Sequence, residues 1–183
     1  MIENNRIIII DDDEEHLAQL RQVFYNHGIG CKGFVYDGFN FPDHPMIGVR
    51  FAFFDVHLNQ AGDINSTLKD AIGHYININN GPYVLVFWTN RVELISTFIN
   101  FINRTDDEFR RKLKPLLITS IDKTDFLDSE KKLTEKLEEI LSSDLVKCLI
   151  RFDESVLIAA RQTLDITDSL LTSFVLKFSG WSS

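Results

Sequence analysis

Residues 7–15 read IIIIDDDEE, four isoleucines followed at once by five acids. A run this short and apolar is typical of a strand that is buried on both faces, as in a parallel sheet. The residues that follow have a helical period, with one apolar stripe formed by Leu17, Leu20, Val23 and Phe24. The stretch therefore predicts a buried strand and an α-helix that packs against it, the first half of a βαβ unit.

The same alternation continues along the chain. Further short apolar runs lie at residues 33–36, 51–54, 83–88 and 116–119. Helical segments lie at residues 64–76, 92–102 (which the charged run 106–114 would extend) and 130–141. Residues 37–50 hold two glycines and two prolines, so we expect a loop or a very short helix there. The pattern predicts an α/β domain over residues 1–143, built on a doubly wound five-stranded parallel sheet.

After residue 143 the alternation stops, and residues 144–183 are amphipathic with a helical period. We expect a C-terminal helical extension of one or two helices, or a linker to an output region. Such a segment would pack on the domain, self-associate or bind an effector. Charged residues interrupt it too often for a membrane span, and the N-terminus has no signal-peptide core, so a cytoplasmic protein is expected.

Composition excludes several classes of function. The chain has 19 Lys+Arg against 27 Asp+Glu, a net charge of −8, and no block of cations, which disfavours direct binding of nucleic acid. The 2 cysteines have no metal-ligand spacing, which fits a reducing compartment. The 5 histidines show no such spacing either, and we assign none of their side chains a role.

Polar residues follow four of the five predicted strands, where the carboxyl ends of a parallel sheet converge. They are Asp11, Asp12, Asp55, Thr89 and Lys123. Paired carboxylates suit Mg²⁺, and a third carboxylate can accept a phosphoryl group. A lysine and a hydroxyl can then neutralise and bind the phosphoryl oxygens. The alternative for each residue is structural: helix-capping acids, or a salt bridge between Asp55 and Lys123.

These motifs, RIIIIDDD (6–13), FFDVHL (53–58), VFWT (86–89) and the segment 118–126 with its lysine, resemble the receiver domain of bacterial response regulators. The resemblance covers about residues 5–142 and implies a flavodoxin-like fold. It also implies Mg²⁺ bound by Asp11, Asp12, Asp55 and the backbone carbonyl of His57. Asp55 would be the phosphoacceptor, with Thr89 as the switch hydroxyl and Lys123 as the conserved lysine. The implied partner is a histidine kinase or a phosphotransfer protein.

The chain also departs from the receiver pattern. Asn59 and Thr124 stand where receivers usually have proline, Asn90 where they have a small residue, and Ser120 where many have an aromatic switch residue. These departures keep open a pseudo-receiver, a phosphorylation-independent interaction module with the same fold. A third hypothesis is a phosphohydrolase like the haloacid dehalogenases, with Asp11 and Asp13 as nucleophile and acid/base. Glu15, however, occupies the position where that family wants Thr or Val.

Overall fold

The computed structural model describes residues 6–58, 62–104, 115–126 and 129–179. The strands within these residues are β1 (Ile7–Asp11), β2 (Lys32–Val35), β3 (Phe51–Phe54), β4 (Val84–Thr89) and β5 (Leu117–Asp122). The helices are α1 (Glu14–Asn26), α2 (Ile64–Tyr75), α3 (Ile95–Arg104), α4 (Lys123–Phe126), α5 (Glu130–Ser142) and α6 (Asp144–Ser179). A 3₁₀ turn at Val92–Leu94 precedes α3.

The strands form one sheet in the order β2-β1-β3-β4-β5, and every neighbouring pair is parallel. This is the flavodoxin-like order, so the prediction of a doubly wound five-stranded sheet is confirmed. The strand order reverses at β1, which places the topological switch point between β1 and β3. The carboxyl ends of these two strands carry Asp11 and Asp55.

Both faces of the sheet are covered, which explains why β1, β3 and β4 are buried along their whole length. On one face, Phe54 of β3 contacts Tyr75 of α2, and Phe87 of β4 contacts Phe98 of α3. On the other face, Phe24 of α1 packs edge-on against Phe53. These aromatic contacts fix the helices against the strands and hold the carboxyl edge of the sheet in place.

Residues 37–50 contain no helix, as their glycines and prolines predict. This loop is fastened at its far end instead. Met46 pairs with Ile76 in an isolated bridge, and the buried Asn80 side chain bonds to both backbone groups of Val49, at 2.8 Å and 2.9 Å. The chain thereby enters β3 from a fixed position.

The chain divides into two compact units, Met1–Ile140 and Leu141–Ser183. In the second unit, α6 is a single helix of 36 residues, so the prediction of a C-terminal helical extension is confirmed. Within the described residues, no helix is long and apolar enough to cross a bilayer. The predicted continuation of α3 over residues 106–114 lies outside the described residues.

Candidate functional site

In the acidic run that begins at the end of β1, Asp11 and Asp12 lie at the edge of the sheet, and Asp13 belongs to the start of the following helix. Asp11 ends β1 and is fully buried, and its Oδ1 accepts the Asp13 N–H at 3.0 Å. Asp13 is the N-cap of α1, where its Oδ1 accepts the N–H groups of Glu15 and His16. Asp12, between them, is half-buried. Asp13 is therefore engaged in capping, which leaves it poorly suited to the acid/base role of the phosphohydrolase hypothesis.

Asp55 follows β3 directly and lies beside the carboxyl end of β1. Its backbone N–H donates to the carbonyl of Ile10 at 2.9 Å, which continues the β1–β3 ladder and sets Asp55 beside the end of β1. The Asp55 side chain forms an Asx-type hydrogen bond, in which its Oδ1 accepts the N–H of His57 at 3.1 Å. This bond fixes the orientation of the carboxylate. The residue is 6% exposed. A carboxylate this deep requires a partner.

Lys123 supplies that partner. It begins α4 directly after β5, and its side chain is 2% exposed. Its Nζ lies 2.8 Å from Asp55 Oδ2 with the geometry of a hydrogen bond. The same atom lies 2.7 Å from Asp11 Oδ2, an ion pair that lacks good hydrogen-bond angles. One ammonium thus bridges two carboxylates that come from different strands.

The electrostatics of the two β1 acids differ from those of ordinary surface carboxylates. Burial raises the pKa of Asp11, and the nearby Lys123 ammonium opposes that shift. Burial also raises the pKa of Asp12, and the negative charge of Asp55 raises it further. Burial is thus the main cause of both shifts, and the charge of a neighbouring carboxylate is the second cause only for Asp12.

The three carboxylates offer a cation site. One oxygen from each of Asp11, Asp12 and Asp55 lies within 4.8 Å of the others. Such a cluster of oxygen donors fits a hard divalent cation, and the partial exposure of Asp12 leaves room for the waters that Mg²⁺ keeps. Asp11 Oδ2, which receives no well-angled hydrogen bond, has a lone pair to offer. The site could therefore hold a divalent metal.

The two remaining predicted residues lie at the same edge of the sheet. Thr89 ends β4, is fully buried and pairs with Asp122 in β5, the residue before Lys123. Its Oγ1 accepts the N–H of Arg91 at 3.1 Å. His57 directs its N–H to Asp55, while the metal-binding role of its carbonyl stays a prediction.

Among the residues that depart from the receiver pattern, Thr124 has a structural role of its own. Thr124 donates both its N–H and its Oγ1–H to Asp122 Oδ1, at 2.9 Å and 2.8 Å. A proline at that position would supply neither donor. Ser120 is half-buried within β5, and Asn90 is exposed just beyond Thr89. Asn59 lies outside the described residues.

One residue at the site was missed from the sequence. His16, in the first turn of α1, places its Nδ1 3.4 Å from Lys123 Nζ. Metal-ligand spacing was the wrong criterion for it. The sequence does place His16 in the first turn of the helix that follows the acidic end of β1, but its partner comes from a distant part of the chain.

Comparisons with known proteins add nothing to this geometry. No protein-family model, curated protein or solved structure matches the chain.

Proposed function

We propose that this chain is a signal-transduction receiver module, which accepts a phosphoryl group on Asp55 in a Mg²⁺-dependent reaction. The observation that carries the proposal is the buried Lys123 ammonium between Asp11 and Asp55, beside the half-buried Asp12. A purely structural ion pair needs one carboxylate. Here three carboxylates face one ammonium, an excess of negative charge that is costly unless a cation compensates it.

The side chains have the chemistry that phosphoryl transfer needs. An Asp55 oxygen would attack the phosphorus of a phosphohistidine, forming a P–O bond as the P–N bond breaks and the imidazole departs. Asp11, Asp12, Asp55 and the His57 carbonyl would hold Mg²⁺, which neutralises charge on the transferring group. Lys123 would move from Asp55 Oδ2 to a phosphoryl oxygen. The Thr89 hydroxyl would bind another oxygen and report that the group is present.

This function implies a histidine kinase or a phosphotransfer protein as the donor. The added charge would shift a two-state equilibrium that controls a downstream output. Residues 144–183 would connect the module to that output, through an effector or through a second copy of the chain.

A second candidate is a pseudo-receiver, which uses the same fold to bind partners without phosphorylation. Thr124 favours it, because its bonds to Asp122 give the loop after β5 a different anchor from the usual proline. The half-buried Ser120 also favours it, since the familiar coupling between hydroxyl and aromatic switch has no aromatic partner at that position.

Intact-mass measurement after incubation with acetyl phosphate separates the two candidates. We expect the parent chain to gain one phosphoryl group only when Mg²⁺ is present. Asp55→Asn should gain none, because the amide is no nucleophile toward phosphorus. Asp13→Asn is the matched control, since it changes a neighbouring acid that caps α1, and it should be labelled like the parent.

Two results would contradict the receiver chemistry. Labelling that persists in Asp55→Asn would place the phosphoryl group elsewhere. A folded parent chain that gains no mass, with acetyl phosphate or with a panel of phosphorylated histidine kinases, would favour the pseudo-receiver. Capture of partner proteins would then be the informative experiment.

A further inference from the structure

The Lys123 ammonium is the feature on which the site depends, and its contacts extend beyond the two carboxylates. Its Nζ lies 2.7 Å from Asp11 Oδ2, 2.8 Å from Asp55 Oδ2 and 3.4 Å from His16 Nδ1. A lysine ammonium carries three N–H donors. The imidazole therefore offers a further acceptor for one of these donors.

The contact distances favour one tautomer of the neutral imidazole, the one with a lone pair on Nδ1. Nδ1 lies 3.4 Å from the ammonium, within hydrogen-bond reach, but 3.8 Å from Asp13 Oδ2, which is too far for a hydrogen bond. A lone pair on Nδ1 can accept from Lys123, whereas a proton there would face the ammonium. The backbone of His16 is fixed as well, because its N–H donates to the Asp13 cap at 3.2 Å.

We propose that His16 is a positioning residue, which accepts a hydrogen bond at Nδ1 from Lys123 and holds the ammonium between Asp11 and Asp55. The consequence for phosphoryl transfer rests on the proposed function. When Asp55 gains a phosphoryl group, the ammonium must turn toward the new oxygens, and a fixed acceptor on α1 keeps it within reach of them.

Three variants of the full chain test this role. His16→Asn keeps an acceptor close to the position of Nδ1, and His16→Leu fills similar space without one. Gln19→Leu is the control, because it places the same apolar side chain at an exposed position of α1. Circular dichroism of each variant establishes that the fold is kept.

The first readout needs no phosphorylation. ¹⁵N NMR of the unphosphorylated chain should place the proton of the neutral His16 ring on Nε2. The ammonium protons of Lys123 should exchange with solvent about tenfold faster in His16→Leu, the effect of losing one charge-assisted hydrogen bond. Exchange in His16→Asn and Gln19→Leu should match the parent. If the neutral His16 ring of the parent carries its proton on Nδ1, the proposal is overturned. This measurement uses the parent chain alone, so it does not depend on the folding of any variant.

The second readout is the rate constant for phosphoryl uptake from acetyl phosphate. It should fall about tenfold in His16→Leu and recover in His16→Asn. Equal rates in the parent and His16→Leu would overturn the positioning role. If the parent takes up no phosphoryl group, the proposed function fails, whereas the NMR readout still decides whether His16 holds Lys123.

Discussion

Three consecutive aspartates after β1 have three different environments. Asp11 is buried against Lys123, Asp12 is half-buried near the charge of Asp55, and Asp13 caps α1. Sequence alone placed Asp11 and Asp12 at the sheet edge. The contact between His16 and Lys123 was not predicted, because it depends on where β5 and α4 bring Lys123, 107 residues away.

We predict opposite effects on stability for two of these acids. Asp12→Asn should raise the free energy of unfolding at neutral pH by about 1 kcal/mol, because it removes an ionised group that burial and Asp55 disfavour. Asp13→Ala should lower it by about 1 kcal/mol, because α1 loses its N-cap. Urea unfolding of both variants and the parent measures the difference.

The pH dependence of the Asp12→Asn gain follows from the direction of the pKa shift. The pKa of Asp12 in the folded chain lies above its ordinary value of 3.8, so the native state binds that proton at higher pH than the unfolded chain does. The gain in the free energy of unfolding should be complete at pH values above the pKa of Asp12 in the folded chain. It should disappear as the pH falls toward 3.8. A gain that is constant across this window would contradict an electrostatic origin.

At the scale of elements, the short apolar runs were enough to predict the five strands. β1 and β3 were placed correctly because an unbroken apolar run buried on both faces leaves little choice of structure. The ends were harder to place. β5 runs to Asp122 rather than stopping near residue 119, since pairing with β4 continues to Thr89 and overrides the polar residues in its second half.

Gly33 in β2 lies where side chains of α1 approach the backbone of the sheet closely. A Cβ there would lie 2.8 Å from Leu17 Cδ2 and 2.7 Å from Arg21 Cδ. Leu17 is a core residue and has little room to move. We expect Gly33→Ala to lower the free energy of unfolding by about 1–3 kcal/mol through overpacking.

Gly30→Ala is the matched control for this prediction. A Cβ at Gly30 meets nothing within 4 Å. We therefore expect Gly30→Ala to change the free energy of unfolding by no more than about 0.5 kcal/mol. Thermal or urea unfolding of the two variants compares them directly. Equal destabilisation would mean that loss of glycine itself, rather than contact with Leu17, sets the cost.

At the scale of the whole molecule, the net charge of −8 is a competing explanation for any effect of cations on stability. General screening of repulsion acts on every acid and depends on ionic strength alone. A site at Asp11, Asp12 and Asp55 acts only when all three carboxylates are present. The two explanations therefore differ in which substitutions remove the effect.

We predict that Mg²⁺ stabilises the parent chain beyond KCl of the same ionic strength. Binding to the native state alone adds about 1.4 kcal/mol when Mg²⁺ is at ten times its Kd. Asp55→Asn should lose most of this gain, while Asp63→Asn, which changes the exposed N-cap of α2, should keep it. Thermal unfolding across a Mg²⁺ titration measures all three chains. An equal gain in all three would mean that Mg²⁺ acts by screening, because only binding at the carboxyl edge of β1 and β3 distinguishes Asp55 from Asp63.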